Sequence, residues 1–323
     1  MGVLIRLMEE DILSDVRAWY GTSGGSMAAI LGALGVSVGW IRSCAEYFDT
    51  HPMLDIQEDL VAHFMTEWGV DYGNKYVEYM GRFLNTWEPG FSEWTFAQLS
   101  AARPGILLGI PAVNLSTGEY VLFSSTSHPH MKLLDAVRAT SSIPMFFTPW
   151  KDDKGHLYCD GALKEQYPWA CIPKEKRSAT LMIACHENQI GVYTHAPIST
   201  FSDYISRIMY IARHNHQQDV PEHTIVINDT RIDILDFFQR KEERLCLIQS
   251  GIDSVAAWIR QHSLAENSET HPLSSVPDTL PSPRLVAQDR ELDIPQSQNP
   301  QPSRGPSQDL HISSQQISRR WSL

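Results

Sequence analysis

A serine flanked by glycines near the start of the chain is the clearest candidate for chemistry. Residues 21–25 read G-T-S-G-G, which has the form G-x-S-x-G with Ser23 at its centre. This pattern is typical of a nucleophilic serine on a sharp turn between a strand and a helix. Glycines at Gly21 and Gly25 would let the neighbouring backbone approach that turn closely. The alternative is an ordinary Gly/Ser loop between a strand and a helix.

An aspartate far downstream is the second candidate. Asp160 follows the strand-like run 157–159 and precedes Gly161, so no side chain at the next position shields its carboxylate. Such a carboxylate can take a proton from a serine hydroxyl and act as its general base. The alternative is a plain turn aspartate, because Asp-Gly pairs are common in turns.

The serine needs a strand before it and a helix after it. Residues 16–20 are predicted to form a short buried strand, and residues 27–34 an apolar helix rich in small side chains. The start of such a helix directs unpaired N–H groups at the serine, which favours a negatively charged oxygen there. The N–H of Gly24, next to Ser23, is therefore a candidate oxyanion donor.

Four segments, taken in order, resemble the patatin-like phospholipases. They are residues 2–10, the serine turn 21–25, the A-x-R-A-[ST]-x-x-[IV]-P segment at 136–144 and the D-G-A turn at 160–162. Their order and spacing fit the family over residues 1 to about 260. The resemblance implies a Ser23/Asp160 dyad without a catalytic histidine, and neither a metal nor another cofactor.

The function implied by this resemblance is hydrolysis of a lipid ester. The substrate would be a phospholipid or another acyl lipid, and the activity of the phospholipase A, lysophospholipase or triacylglycerol lipase type. The family normally begins with a central strand and a glycine-rich loop that forms the oxyanion hole, whereas this sequence starts within the helix that follows. Loss of one hydrogen-bond donor from an oxyanion hole lowers kcat by about 100- to 1,000-fold. The alternative is therefore a catalytically weak or inactive lipid-binding or interaction protein.

Alternating strands and helices predict an α/β fold, a three-layer patatin-like sandwich with a mainly parallel central sheet. Strand-like runs are residues 105–113, 120–123, 179–185 and 224–227, and predicted helices include 133–140, 201–215 and 242–260. Residues 38–102 are helical and aromatic in pattern, as expected of a packed helical subdomain. Some of these rings are also candidates for an acyl groove or for contact with lipid.

The composition changes near residue 265. Residues 1–264 are predicted to form the acyl hydrolase domain, without the family's first strand and oxyanion loop. Residues 265–323 are rich in proline, serine and glutamine and lack apolar periodicity, so they are predicted to be a disordered tail that could bind other proteins.

The net charge of −12 argues against nucleic acid as a partner and against electrostatic attraction to anionic membranes. Peripheral contact with a membrane or lipid droplet would therefore use apolar residues. The odd number of cysteines and the lack of a C-x-x-C motif favour reduced thiols in the cytoplasm. Cys159 is interpreted as a buried strand residue, with a second nucleophile as the weaker alternative.

Histidines offer two further hypotheses, a metal site and a catalytic triad. The H-x-H pairs at 128–130 and 214–216 are interpreted as loop and helix-surface histidines, so no metal site is predicted. His156 lies four residues before Asp160, but an intervening strand is expected to carry it away from the site.

Overall fold

A computed structural model describes residues 1–56, 59–185, 198, 201–214, 221, 223–227, 229 and 236–269. All of these residues belong to one compact unit, Met1–Pro272. Residues 265–269 continue the last helix, and the rest of the predicted tail lies outside the described residues. The boundary at residue 264 therefore stays a prediction.

The helices and strands alternate along the chain, as an α/β protein requires. The α-helices are α1 (Gly2–Glu9), α2 (Gly24–Leu34), α3 (Val38–Tyr47), α4 (Leu60–Glu67), α5 (Asn74–Asn85), α6 (Phe96–Ala102), α7 (Leu133–Thr140), α8 (Phe201–His214) and α9 (Lys241–Glu269). The strands are β1 (Ala18–Tyr20), β2 (Leu107–Asn114), β3 (Glu119–Ser124), β4 (Trp150–Lys151), β5 (Leu157–Asp160), β6 (Met182–Cys185) and β7 (Thr224–Ile227). Among the described residues, no helix combines the length and apolar character needed to cross a bilayer.

Strand β2 is the centre of a five-stranded sheet. On one edge it pairs antiparallel with β3 from Gly109 to Asn114. On the other edge its first half pairs parallel with β1, and its second half pairs antiparallel with β5. Strand β4 pairs antiparallel with β5, while β6 and β7 form a separate parallel pair.

The α/β fold is confirmed, but the sheet is mixed rather than mainly parallel. The physical reason is the length of two connections, because residues 115–118 join β2 to β3 and residues 152–156 join β4 to β5. Connections this short reverse the chain, whereas neighbouring parallel strands need a crossover of a dozen or more residues. Turn-forming residues in these connections, at 116–118 and 152–155, also favour antiparallel pairing.

Helix α2 packs on the sheet behind the candidate serine. Its core-facing side chains, Ile30, Leu31 and Ala33, are buried. Gly32 lies directly against the indole of Trp19 in β1, since a Cβ on Gly32 would come within 2.3 Å of a ring carbon. A glycine at this position therefore lets the helix approach the strand that leads to the serine.

The predicted helical region 38–102 contains α3 to α6, and its aromatic rings form much of its core. Trp40 and Phe48 both contact Phe83, with ring centroids 5.1 and 5.3 Å from it. Phe83, Phe91 and Phe96 are almost fully buried. These rings therefore serve mainly to pack the core of the helical region.

Candidate active site

Two strands approach each other along the same edge of β2. Strand β1 ends at Tyr20, opposite Gly109, and β5 ends at Asp160, opposite Ala112. Because β1 runs parallel to β2 and β5 runs antiparallel, their final residues face each other across about 10 Å of β2. The segment after β1, which carries Ser23, therefore meets the end of β5.

The two candidate residues form a direct hydrogen bond. The Ser23 hydroxyl donates to Oδ2 of Asp160 over 2.6 Å. Oδ1 of the same carboxylate accepts from the backbone N–H of Ala162 over 2.8 Å, which fixes its orientation. Asp160 is only 1% exposed. The two side chains therefore contact each other directly.

The serine occupies a strained backbone conformation at the start of α2. Its φ of 52° and ψ of −130° are unusual for a residue with a side chain. Such a conformation costs about 1–3 kcal/mol and persists only where the surroundings fix it. Here Gly21 N–H donates to the carbonyl of Gly109, and Gly25 N–H donates to that of Thr22.

The glycines near the dyad have different roles. A Cβ on Gly21 would lie 2.3 Å from the carbonyl oxygen of Gly25, and one on Gly161 would lie 2.6 Å from that of Pro111. A Cβ on Gly24 or Gly25 would meet no atom within 4 Å. Steric crowding therefore explains why glycine is required at Gly21 and Gly161. The expectation that Gly25 is needed for the same reason is wrong.

Thr140, which the sequence analysis did not single out, holds the serine turn in place. Its hydroxyl accepts from the backbone N–H of Ser23 over 3.0 Å and donates to the carbonyl of Pro111 over 2.5 Å. The side chain is fully buried. Thr140 thus ties the turn to β2 at the gap between β1 and β5.

Ser142 and Arg138 hold the aspartate. The carbonyl of Ser142 accepts from the backbone N–H of Asp160 over 2.9 Å. The buried guanidinium of Arg138 donates to the Ser142 hydroxyl and to the carbonyls of Tyr72 and Thr148. Burial lowers the pKa of Arg138 to about 10, so the group remains a cation at neutral pH. The only sequence signal for these roles was the polar run within residues 136–144.

An apolar cavity of about 310 Å³ reaches the serine. Ser23 and Gly24 contribute to its wall, and most other lining side chains are apolar, including Leu31, Phe83 and Phe147. This volume lies at the lower end of the range of small-molecule sites. A larger groove of about 690 Å³ lies between β7 and α9 and contains none of the candidate residues.

The remaining candidates lie away from the reaction chemistry. Burial and the neighbouring Asp160 raise the pKa of Cys159 to about 12, so it is a thiol and a poor nucleophile at neutral pH. His156 contacts the carboxylate of Asp152 over 3.3 Å. The His128 ring packs against Phe123. No group of three or more metal-ligating side chains occurs within the described residues, and part of the second H-x-H pair, 215–216, lies outside them.

Solved structures with a similar fold share little sequence with this chain. VipD from Legionella pneumophila is 14% identical with a TM-score of 0.50, and the match covers 81% of this chain and 64% of VipD. ExoU from Pseudomonas aeruginosa, solved in complex with SpcU, is 15% identical with a TM-score of 0.38, and the match covers 80% of this chain and 49% of ExoU. The chain therefore spans about half to two thirds of these proteins.

Sequence comparison gives the family directly. No curated protein matches the chain significantly. A family model for patatin-like phospholipase matches residues 1–170, just over half of the chain, and includes both Ser23 and Asp160. The α/β fold shared with VipD agrees with this match. The chain belongs to the patatin-like phospholipase family.

Proposed function

We propose that the protein is a lipid acyl hydrolase that uses Ser23 as nucleophile and Asp160 as general base. The observation that carries this proposal is the 2.6 Å hydrogen bond between the two side chains, at the wall of an apolar cavity. The hydrogen bond gives the hydroxyl proton a direct acceptor, and the cavity offers space for an acyl chain.

The reaction follows from this geometry in two halves. Ser23 Oγ attacks the ester carbonyl carbon while its proton moves to Asp160, and a tetrahedral oxyanion forms. Collapse of that intermediate expels the alcohol, which takes the proton from Asp160 and leaves an acyl-serine. Asp160 then takes a proton from water as the water attacks the acyl carbonyl. The second collapse releases the fatty acid, and the proton returns to Ser23 Oγ.

We further propose that the protein contacts lipid surfaces from the cytoplasm through residues 54–72. Six large apolar side chains in this segment are exposed: Ile56, Leu60, Val61, Met65, Trp68 and Tyr72. Trp68 has a φ of 60°, a strained conformation where glycine is usual, and the residue is 57% exposed. An apolar helix face with an exposed tryptophan is typical of membrane-surface segments.

The connections of this segment support the same idea. The N–H groups of Val70 and Asp71 both donate to the carbonyl of Phe146, next to the cavity residue Phe147. At the other end, Met53 also lines the cavity. The segment contains several carboxylates and neither lysine nor arginine. Contact should therefore favour zwitterionic or uncharged lipid over an anionic surface.

Labelling by a fluorophosphonate probe tests the nucleophile. The parent protein should react covalently and hydrolyse both a soluble acyl ester and phosphatidylcholine vesicles, whereas Ser23→Ala should do neither. Asp160→Asn should lower the rate by about 100- to 10,000-fold, the usual contribution of a general base. Ser43 is a half-buried serine on α3 whose hydroxyl donates to the Gly39 carbonyl of the same helix. Ser43→Ala is the matched control and should label like the parent.

Equal labelling of Ser23→Ala and the parent would refute the nucleophile assignment. A parent protein that binds vesicles but neither labels nor hydrolyses either ester would support the alternative of an inactive lipid-binding protein.

A further inference from the structure

The cavity that reaches Ser23 contains a pair of hydroxyl groups that the dyad does not use. Four lining residues carry a hydroxyl: Ser23, Thr50, Tyr76 and Ser141. The hydroxyl of Ser23 bonds Asp160, and that of Thr50 donates to the backbone carbonyl of Phe237 over 2.6 Å. The other two contact each other, with Tyr76 Oη 3.3 Å from Ser141 Oγ.

Ser141 lies between two residues that touch the dyad. The preceding Thr140 accepts from the backbone N–H of Ser23, and the following Ser142 accepts from the backbone N–H of Asp160. Ser141 is therefore held beside both dyad residues while its own side chain lines the cavity. Its position is fixed from both sides by bonds to the catalytic turn and to the base.

The Tyr76–Ser141 pair retains one hydroxyl proton that can be donated to a further acceptor. Each hydroxyl has one proton, and the contact between them uses only one. A phenol is the more acidic group, so Tyr76 is the natural donor to Ser141 Oγ. Burial raises the pKa of Tyr76, so its hydroxyl stays protonated at neutral pH. The Ser141 proton is then available to the cavity, and the bond from Tyr76 polarises it.

We propose that Ser141 Oγ–H donates a hydrogen bond to the oxyanion of the tetrahedral intermediate, together with the N–H of Gly24, and that Tyr76 orients it. The inference rests on the proposed function. The ester carbonyl oxygen gains negative charge when Ser23 attacks, so a donor at that position stabilises the transition state more than the substrate. Both hydroxyls keep their protons throughout, and Tyr76 acts only as a positioning residue.

Steady-state kinetics on a soluble acyl ester test this role. Ser141→Ala should lower kcat by about 100- to 1,000-fold, the usual cost of one lost oxyanion donor, and change KM little. Tyr76→Phe should lower kcat by a smaller factor. Tyr76→Phe added to Ser141→Ala should have little further effect, because the two hydroxyls act as one unit.

Tyr79→Phe is the matched control for loss of a buried phenol. Tyr79 lies on the same helix α5, and its hydroxyl accepts from the backbone N–H of Asp49 outside the cavity. Its removal should leave kcat within about threefold of the parent. A fall as large as that of Tyr76→Phe would overturn the inference, because the effect would then come from loss of helix packing.

A second measurement separates catalysis from folding. A long-chain trifluoromethyl ketone forms a reversible adduct with an active-site serine and so creates the oxyanion, whereas the matching methyl ketone binds without an adduct. Ser141→Ala should lose about as much affinity for the fluorinated ketone as it loses in kcat, and keep its affinity for the methyl ketone.

Three further results would overturn the inference. The first is parent-like kcat in Ser141→Ala while Ser23→Ala is inactive, which leaves the proposed function standing. The second is equal loss of affinity for both ketones, which would indicate a damaged cavity. The third is a parent protein that neither labels with a fluorophosphonate nor hydrolyses the ester, which refutes the proposed function as well.

Discussion

Replacing Thr140 by valine removes one buried hydroxyl and changes the side-chain volume little. That hydroxyl is the partner of two backbone groups, the N–H of Ser23 and the carbonyl of Pro111. A buried polar group left without a partner costs about 1–3 kcal/mol. Ser23 is partly exposed, so water can satisfy its N–H in part. The expected loss of stability is therefore about 2–4 kcal/mol, which lowers the melting temperature by roughly 5–15 °C in a domain of this size.

The catalytic rate of Thr140→Val should fall by more than the loss of folding stability alone would cause. Ser23 is strained at φ 52°, and Thr140 is one of the contacts that hold it there. Without that contact the turn can relax and move Oγ away from Asp160. A displacement of about 1 Å in a catalytic group can cost about 100-fold in rate, so kcat of Thr140→Val should fall by about that factor.

Thr140→Ser gives the matched control, because it loses the methyl group but keeps the hydroxyl. Thermal unfolding, hydrolysis of a soluble ester and the rate of fluorophosphonate labelling should be measured on all three proteins. We expect the serine variant to retain more activity than the valine variant, although valine fills the site better. The opposite order would show that packing of the methyl group, and not the hydrogen bond to Ser23, governs the site.

Three further predictions concern other parts of the chain. With a pKa of about 12, Cys159 should be about one ten-thousandth thiolate at pH 8, so alkylation of the native protein should modify the exposed Cys185 and Cys246 before Cys159. Cys159→Ala should keep fluorophosphonate labelling, and loss of labelling in a variant that melts normally would contradict this. Met65→Glu should weaken binding to phosphatidylcholine vesicles by about tenfold or more, with soluble-ester hydrolysis unchanged, because burying a methionine is worth about 1.5–3 kcal/mol. Leu115→Glu, at an exposed site on the β2–β3 turn, is its control, and an equal effect of both changes would refute a specific surface. Truncation after Glu269 tests the predicted tail and should shift the melting temperature by less than about 2 °C, because a segment rich in proline, serine and glutamine contributes little to a core. A fall of many degrees would show that these residues dock on the domain.

Features that depend on near neighbours in the chain were predictable from the sequence. Helix α7 and strands β3 and β5 lie close to their predicted positions. Turn and helix signals act over a few residues, so they can be found without knowledge of packing. The sheet is mixed and not mainly parallel because two short turns fix antiparallel pairing, which the general α/β pattern does not indicate.

The sequence by itself determined the strand-to-helix turn at Ser23, the Asp-Gly turn at Asp160 and, through the order of four motifs, the family. Only the tertiary structure decided that β1 and β5 end opposite each other on β2, which brings residues 137 positions apart into a 2.6 Å hydrogen bond. It also set the hydrogen-bond partners of Thr140 and Ser142 and brought Tyr76 and Ser141 into contact. Hydroxyl side chains occur throughout the sequence, and no local pattern marks which of them meet. Their partners are set by the packing of distant elements, because a hydrogen bond acts over about 3 Å regardless of separation along the chain.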